Sequence, residues 1–184
     1  MTTATPPTDG DLIRLMAAGS EDAFVRVYER WSPAVFRFAL HMTGDRHMAE
    51  EVAQETFVTL IRRPLMFDET RGTLIGWLLG IARNKTRRAL GASTAEDELD
   101  ESTDVAGHSD VLADLSRRET IEAVRQAVGS LPAAYREVVV LCDLQEMDYR
   151  DAAAALECPV GTVRSRLHRA RTMLMSKLQS LILV

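Results

Sequence analysis

Apolar residues recur along this chain at intervals of three and four positions, and alternating runs of Val, Ile and Thr do not appear. Such spacing is typical of amphipathic helices, because residues three and four apart share one helix face. The pattern predicts helices over residues 9–18, 20–44, 46–62, 73–90, 111–128, 132–143 and 149–156, and a last one from 159 onward. An all-α fold is therefore expected.

Glycines, capping residues and prolines mark the expected ends of these helices. Gly19 and Gly44 are suited to helix C-termini, where a left-handed residue is common. Ser20 and Asp148 are suited to N-caps, since their side chains accept hydrogen bonds from free N–H groups. Pro33 lies inside the second helix and is expected to break or kink it, because proline removes a backbone donor.

The helical pattern is interrupted at residues 94–114, which are rich in Asp and Glu and lack Lys, Arg and aromatic residues. A segment of this composition cannot bury enough apolar surface to order itself. Two small helical domains are therefore predicted. A four-helix unit spans residues 9–91, a helix-turn-helix unit spans 113–184, and a flexible acidic linker at 92–112 joins them.

Composition excludes several classes of protein. Hydrophobic residues form 46% of the 184 residues, and the net charge is -5. No apolar run approaches the roughly 18–20 residues that cross a bilayer, and the N-terminus lacks the features of a signal peptide. No membrane insertion and a cytoplasmic location are expected. Cys142 and Cys158 form no CxxC pair, so they are interpreted as buried or idle thiols, with no metal and no cofactor.

The last predicted helix is basic although the chain is acidic. Its segment CPVGTVRSRLHRAR, residues 158–171, has several arginines and no acid. Phosphates respond to charges within about a Debye length, roughly 8–10 Å, so local charge decides whether a helix can bind DNA. On a helical wheel the apolar stripe consists of Val160, Val163, Leu167, Ala170, Leu174 and Leu178, and the polar face lies opposite.

A short turn separates this helix from residues 149–156, which is the spacing of a helix-turn-helix. In that motif the second helix enters the DNA major groove with its N-terminal end. Thr162 could donate its hydroxyl to a phosphate, and Arg164 could reach a guanine edge or a phosphate. The alternative is a solvated basic face on an ordinary helical bundle.

The helix predicted at residues 73–90 has a second basic face. Trp77, Asn84 and Arg88 share one stripe, and Arg83 and Arg87 lie opposite the apolar side. An aromatic ring beside amide and guanidinium groups suits unstacked bases, because stacking on such a ring is worth roughly 1–3 kcal/mol per base. The alternative is that Trp77 belongs to the core.

The helix predicted at residues 46–62 mixes acidic and apolar side chains outside its core face. The core face is expected to consist of Ala49, Ala53, Phe57, Leu60 and Ile61. Glu51, Glu55, Val58 and Arg62 lie on another face, with Gln54 adjacent. This mixture suits a protein partner better than DNA, and a solvated face is the alternative.

Two long segments resemble bacterial sigma factors of the sigma-70 family, and most closely their extracytoplasmic-function (ECF) group. LPAAYREVVVLCDLQEMDYRDAAAALECPVGTVRSRLHRAR, residues 131–171, resembles the fourth conserved region. TGDRHMAEEVAQETF, residues 43–57, and FDETRGTLIGWLLGIARNKTRR, residues 67–88, resemble the second. Glu157 departs from the family, where many members have glycine in the turn; at a positive φ it would cost about 1 kcal/mol.

The resemblance implies a function for each surface. The fourth region would bind the -35 promoter element through Thr162, Arg164, Ser165, Arg166, His168 and Arg169. The second region would bind the melted -10 strand through Phe67, Asp68, Arg71, Trp77, Arg83, Asn84, Arg87 and Arg88, with a flipped base held by the loop at 67–71. Glu51, Gln54, Glu55 and Val58 would dock on the β′ coiled coil of core RNA polymerase.

The expected protein is then an ECF-type sigma factor that directs promoter recognition, DNA melting and transcription initiation. Its expected partners are core RNA polymerase (β′ coiled coil and β flap), promoter DNA and an anti-sigma factor, and it would be a monomer when free. The acidic linker would suit the basic RNA channel of the polymerase. Two rivals are a dimeric helix-turn-helix regulator and an enzyme, and no motif for catalysis is found in support of the second.

Overall fold

The computed structural model describes residues 6–96 and 113–182, with side chains over 6–91 and 120–179. Eight α-helices and no strand occur in these ranges, so the all-α prediction is confirmed. The helices are α1 (Asp9–Ala17), α2 (Glu21–Thr43), α3 (Arg46–Arg62), α4 (Leu74–Glu96), α5 (Ala113–Gly129), α6 (Ala133–Val139), α7 (Tyr149–Ala155) and α8 (Val160–Ile182).

Helices α1 to α4 form an N-terminal bundle whose boundaries follow from its caps. Ser20 accepts a hydrogen bond from the amide of Ala23 and starts α2. Gly44 ends α2 in the left-handed conformation at φ 72°, as predicted. Asp45 then caps α3 by accepting from the amide of Met48. Gly44 and Asp45 are the two residues between α2 and α3. The left-handed conformation of Gly44 lets the chain change direction within this short connection.

Pro33 does not break its helix, although the sequence pattern predicted a break or a kink. Helix α2 is continuous from Glu21 to Thr43 with Pro33 inside it. Pro33 and Glu29, whose carbonyl loses its usual donor, are both exposed. Water can therefore hydrate that carbonyl, and burial of the opposite face of α2 outweighs the local cost.

Helices α5 to α8 form a C-terminal unit. Helix α6 continues into a π-helical turn at Val140–Leu144, which the sequence pattern does not distinguish from the α-helix predicted there. Asp148 caps α7 by accepting from the amides of Arg150 and Asp151, as predicted. A short turn then leads into α8. Glu157 in this turn has φ 52° and therefore lies in the left-handed region, where a non-glycine residue is strained.

The predicted linker lies mainly in residues 97–112, which fall outside the described ranges. The helical backbone of α4 extends through residues 92–96, the first part of the predicted linker. It does so although this stretch contains Ser93 and Thr94, which have low helix propensity.

The two units pack against each other and share one hydrophobic cluster. Helix α4 of the bundle lies against α7, and α2 contacts α5, α6 and the π-turn. A Cβ added at Gly80 would lie 3.5 Å from the backbone oxygen of Ala155. The sequence predicted two domains joined by a linker and gave no sign of a contact between them. In the structure, small residues such as Gly80 and Ala155 let α4 and α7 come into close contact.

One predicted core position of α3 was wrong. Ile61 is 52% exposed, whereas Val52 and Thr56 are buried. Thr56 is compatible with burial because its hydroxyl donates to the carbonyl of Val52 at 2.7 Å. The core face of α3 is therefore rotated toward Val52 and Thr56 relative to the predicted face.

Candidate nucleic-acid interface

The outer face of α8 carries the basic residues predicted to contact duplex DNA. Val163, Leu167 and Ala170 are buried on the opposite side, which fixes the orientation of the helix. Thr162 and Arg166 are half-buried at the edges of the outer face. The exposed members of the predicted set are Arg164, Ser165, His168 and Arg169. The structure therefore brings all six predicted residues to one accessible surface.

Arg164 is held in place by an aromatic neighbour. Its guanidinium carbon lies 5.8 Å from the centroid of the Tyr149 ring, a cation–π distance. Tyr149 is the first residue of α7, so the first helix of the motif orients a side chain of the second. Sequence reasoning missed this role of Tyr149, although its position next to the predicted Asp148 cap was a usable signal.

Arg171 is tied to the protein. Its guanidinium donates to both carboxylate oxygens of Asp143, at 2.5 and 3.1 Å. The hydrogen bonds from this carboxylate raise the pKa of Arg171. Asp143 therefore neutralises the C-terminal end of the basic segment, and the uncompensated charge lies nearer the N-terminal half of α8.

A second candidate surface is a groove of about 820 Å³ beside α4. Phe67 and Trp77 line it, with ring centroids 6.0 Å apart and planes inclined by 52°. Asp68, Arg71 and Asn84 line it as well. Aromatic rings next to an amide and a guanidinium group give the setting in which an unstacked base can be held.

Trp77 fits both interpretations that the sequence left open. It is half-buried and packs against the hydrophobic cluster, so part of the ring belongs to the core. The same residue lines the groove. One side of the indole is therefore fixed by packing while another side is available to a ligand.

The loop before α4 is a compact turn. Asp68 accepts hydrogen bonds from the amide and the hydroxyl of Thr70, at 3.0 and 2.7 Å. These bonds lower the pKa of the Asp68 carboxyl. The amide of Arg71 donates to the carbonyl of Asp68 at 3.0 Å. Asp68 and Arg71 are exposed, so the turn presents both charges at the edge of the groove.

Arg83 departs from the rest of the predicted -10 set. Its Nε donates to Glu137 of α6 at 2.8 Å, and the side chains are only 11% and 4% exposed. Asn84, Arg87 and Arg88 remain exposed. The structure thus brings Phe67, Trp77 and Asn84 together at the groove but places Arg83 in a contact between the two units.

A third surface lies on α3. Glu51, Gln54 and Glu55 are exposed and Val58 is half-buried, so all four side chains are accessible from solvent. Gln54 and Val58 line a groove of about 680 Å³ together with Phe24, Tyr28 and Phe36 of α2. Sequence reasoning missed these aromatics because they lie on another helix. Tyr28 packs edge-on against Phe57, at 4.8 Å between centroids.

Lys85 links the second and third surfaces. Its ammonium donates to Glu55 at 2.7 Å, so one of the predicted partner-binding acids is paired with a basic residue of α4. Of the four residues predicted on α3, Glu55 is therefore the one whose replacement would also disturb α4.

No group of three or more His, Cys, Asp and Glu with the proximity of a metal site occurs within the described residues. Burial raises the pKa of Cys142 to about 11, which disfavours the nucleophilic thiolate. In the same ranges, no helix is both long and apolar enough to span a membrane.

Comparison with known families gives two separate matches. Residues 27–95 match Sigma-70 region 2, and residues 121–174 match Sigma-70, region 4. The first range contains α3, nearly all of α4, and Phe67 and Trp77 of the aromatic groove. The second contains α7 and most of α8. The residues predicted to contact DNA and polymerase therefore lie in segments that match a sigma-70 region.

Curated relatives cover nearly the whole chain. The ECF RNA polymerase sigma factor SigW of Bacillus subtilis is 30% identical, with 92% of this chain and 96% of the relative covered. The ECF RNA polymerase sigma-E factor of Escherichia coli is 32% identical, with 95% and 96% covered.

Solved structures agree with these relatives. CnrH, in complex with the cytosolic domain of CnrY, gives a TM-score of 0.71 at 26% identity, covering 94% of this chain and 97% of that one. The sigma factor RpoE of Bartonella quintana, in complex with the anti-sigma factor NepR, gives 0.68 at 27% identity, covering 85% and 96%.

The fold and the two matched regions define a sigma-70 family protein. Within that family, the chain belongs to the ECF group of RNA polymerase sigma factors. It is a factor for promoter recognition and transcription initiation. Members of this family are initiation factors rather than enzymes.

Proposed function

We propose that the chain binds core RNA polymerase through α3, reads the -35 element with α8 and holds the melted -10 strand along α4. It works with the polymerase in the cytoplasm and catalyses no reaction of its own. The observation that carries the proposal is the exposed basic face of α8 beside a separate aromatic groove on α4. A conventional regulator needs the first surface but has no use for the second.

The assignment of α8 to duplex DNA rests on its accessible charge. Arg164 is exposed about one turn from the N-terminal end of α8, where free N–H groups also favour phosphate. Arg169 is exposed further along the helix. Arg164 is oriented by Tyr149, which reduces the loss of side-chain freedom on binding. These features support base-edge contact by Arg164 and phosphate contact by its neighbours.

The assignment of α4 to single-stranded DNA rests on Phe67 and Trp77. Their rings pack together as adjacent parts of the wall of one groove, and a base can stack against this wall only after it has left the duplex stack. Unstacking costs a few kcal/mol per base step, which aromatic contacts can offset. Asn84, Arg87 and Arg88 continue the polar path beyond the groove.

The assignment of α3 to the polymerase rests on exposed acidic residues of this helix near an apolar groove. Gln54 lines the groove with Phe24 and Tyr28, and Glu51 is exposed about one turn away on α3. A basic amphipathic helix pair, such as a coiled coil, would complement both the charge and the apolar surface. The β′ coiled coil is the proposed partner here, and the β flap is the proposed partner of the C-terminal unit.

An anti-sigma factor is a further proposed partner. The similar sigma factor RpoE was solved in complex with the anti-sigma factor NepR, and the similar protein CnrH was solved in complex with the cytosolic domain of CnrY. A cognate inhibitor of this chain should suppress its transcription when both are mixed in purified form. A bound protein that leaves transcription unchanged would not be that inhibitor.

Run-off transcription with core polymerase on a library of promoters tests the main proposal. The chain should produce transcripts from a subset of promoters that share a -35 and a -10 sequence, and core polymerase alone should not. Glu51→Lys should reduce binding to core polymerase, whereas Glu29→Lys, an exposed change on α2 outside this groove, should not. Absence of promoter-specific transcripts at saturating sigma would refute the proposal.

A further inference from the structure

The turn that follows Phe67 is held in shape by its own hydrogen bonds. Asp68 accepts from the amide and the hydroxyl of Thr70, and the amide of Arg71 donates back to the Asp68 carbonyl. Because these bonds close within the turn, they fix its shape but not its orientation. The orientation of the turn beside the groove of Phe67 and Trp77 therefore has to come from contacts with the rest of the bundle.

Helix α1 provides such a contact through Glu69, which lies in the middle of the turn. Oε1 of Glu69 accepts a hydrogen bond from Nη1 of Arg14 at 3.3 Å, across 55 residues of chain. Helix α1 also packs against the 3-10 turn Pro64–Met66, which precedes Phe67. The segment before the groove is thus attached to a separate helix of the bundle.

The approach of Glu69 to α1 depends on a glycine. Gly10 is the second residue of α1 and is buried. A Cβ built at Gly10 would overlap with Oε2 of Glu69. Glycine is a poor helix former, and the space that the Glu69 carboxylate occupies accounts for its presence in this helix.

The first turn of α1 attracts the Glu69 carboxylate. A helix N-terminus has free N–H groups and a partial positive charge that favour an anion, and Arg14 adds a full positive charge. The two acids of this turn are already paired, Asp11 with Arg14 at 2.7 Å and Asp9 with Arg30 of α2 at 2.7 Å. Their repulsion of Glu69 is thereby reduced.

The contact between Arg14 and Glu69 is suited to orienting the turn and contributes little to folding. Their side chains are 61% and 57% exposed, and exposed ion pairs add little to stability. A binding site, however, works only when its parts are held close to the productive geometry. A small displacement of the turn relative to the aromatic wall would therefore change which base fits.

We propose that α1 orients this turn, and that Gly10, Arg14 and Glu69 are positioning residues for base recognition at -10. They act through the turn and do not contact DNA themselves. The inference rests on the function proposed above for the groove and the turn. Helix α1 lies before residues 27–95, which match Sigma-70 region 2, so that match assigns it no role.

Promoter selection with core polymerase loaded with the full chain tests this proposal. Promoters randomised over the -10 element are offered, open complexes are sequenced, and the ratio between the most and the least preferred base is measured at each position. Glu69→Gln, Arg14→Gln and Gly10→Ala should each lower this ratio about two- to fivefold at the same position. Each change removes or displaces the contact that holds the turn on α1.

Two matched controls should leave the ratio unchanged at every position. Glu29→Gln is an exposed change of the same chemistry on α2. Gly129→Ala is a glycine change at an exposed helix position, where an added Cβ meets nothing within 4 Å.

Gly10→Ala separates positioning from stability. Alanine favours a helix more than glycine does, and the atom that its Cβ would displace is the end of a flexible side chain. The melting temperature should therefore stay unchanged or rise while base discrimination falls. A fall of both together would show that Gly10 only supports the fold, and would overturn its positioning role.

The remaining variants distinguish positioning from direct contact. If Glu69→Gln alone lowers the ratio, Glu69 contacts the strand itself and the proposal is wrong. The double variant Arg14→Gln with Glu69→Gln should lose no more discrimination than the more affected single variant, because both changes break one contact. Additive losses would show that the two residues act separately and would contradict the proposal.

The same experiment separates the two levels of inference. A parent chain that directs transcription without preference at any -10 position would refute the function proposed for the groove and the turn. A clear preference of the parent chain that all three folded variants retain would refute only the role of α1.

Discussion

Helices α8 and α4 carry similar side chains but lie in different surroundings. On α8, Arg164 and Arg169 face solvent. On α4, Arg83 is buried against Glu137 while Arg87 and Arg88 remain exposed. An exposed arginine is available to phosphate at little cost, whereas removing one partner of a buried pair costs about 3–5 kcal/mol. The basic residues of α8 are thus accessible as they stand, whereas Arg83 of α4 would have to leave its ion pair before it could contact DNA.

The strongest test of the α4 surface is Trp77→Ala. Loss of the indole removes one wall of the groove and the contact with Phe67. Since stacking is worth roughly 1–3 kcal/mol per base, promoter opening should fall by up to about a hundredfold. Permanganate footprinting of unpaired thymines measures this, and binding to closed duplex serves as the internal reference, which should be unchanged. Normal opening by a folded variant would show that the strand passes elsewhere.

The corresponding test of α8 is Arg164→Ala, for which a loss of about tenfold in promoter binding is expected. A base-edge contact is worth roughly 1–3 kcal/mol and its loss relaxes sequence preference at one position, whereas loss of a phosphate contact weakens all sequences evenly. Selection of -35 sequences with the variant distinguishes the two. Arg26→Ala, an exposed change on α2, is the control. Equal binding by Arg164→Ala and Arg26→Ala would remove Arg164 from the interface.

A smaller effect is expected from Glu157→Gly in the turn between α7 and α8. Glu157 has φ 52°, a conformation that costs a non-glycine residue roughly 1–2 kcal/mol. Glycine relieves this strain but adds freedom to the unfolded chain, so the free energy of unfolding should rise by no more than about 1 kcal/mol. Urea denaturation measures it, with Glu146→Gly, at φ 53°, as the comparison. A loss of stability would show that the side chain of Glu157 makes a compensating contact.

The smallest expected effect is a pH dependence of the contact between the units. Burial, and then the positive charges of Arg125 on α5 and Arg37 on α2, lower the pKa of His41 below its ordinary value. The folded state thus disfavours the protonated form. The stability of the folded state is therefore not reduced by His41 above the ordinary histidine pKa of about 6.5. Below that value the free energy of unfolding falls with pH, because unfolding or opening then takes up a proton.

Thermal melting between pH 8 and 5 measures this dependence, and His41→Gln should reduce it. Retention of the full pH dependence by this variant would assign it to another group.

Local sequence signals predicted much of the fold because their causes are local. Ser20 and Asp148 accept hydrogen bonds from the first turns of the helices that they cap, and Gly44 adopts the left-handed conformation expected at a helix C-terminus. The apolar stripe of α8 was predicted well, since Val163, Leu167 and Ala170 are all buried. Pro33 shows the limit of such signals, because packing of the whole α2 face outweighed a local preference.

Sites that depend on several elements were predicted only in part. The order of charged and aromatic residues identified Trp77 and Asn84, but the aromatics of α2 behind the α3 surface were missed. Periodicity shows which face of a helix is apolar and does not show which other helix will cover it. Ile61 illustrates this, since an apolar residue at a core spacing remained exposed.

By itself, the sequence determined the all-α class, most helix ends and the residues of both basic faces, because capping and amphipathic spacing act over a few residues. Only the tertiary structure decided that Arg83 faces Glu137 across 54 residues of chain and that α4 packs against α7. Such contacts follow from the shapes of complete helices and from the requirement to pair a buried charge, and neither is encoded in a local pattern.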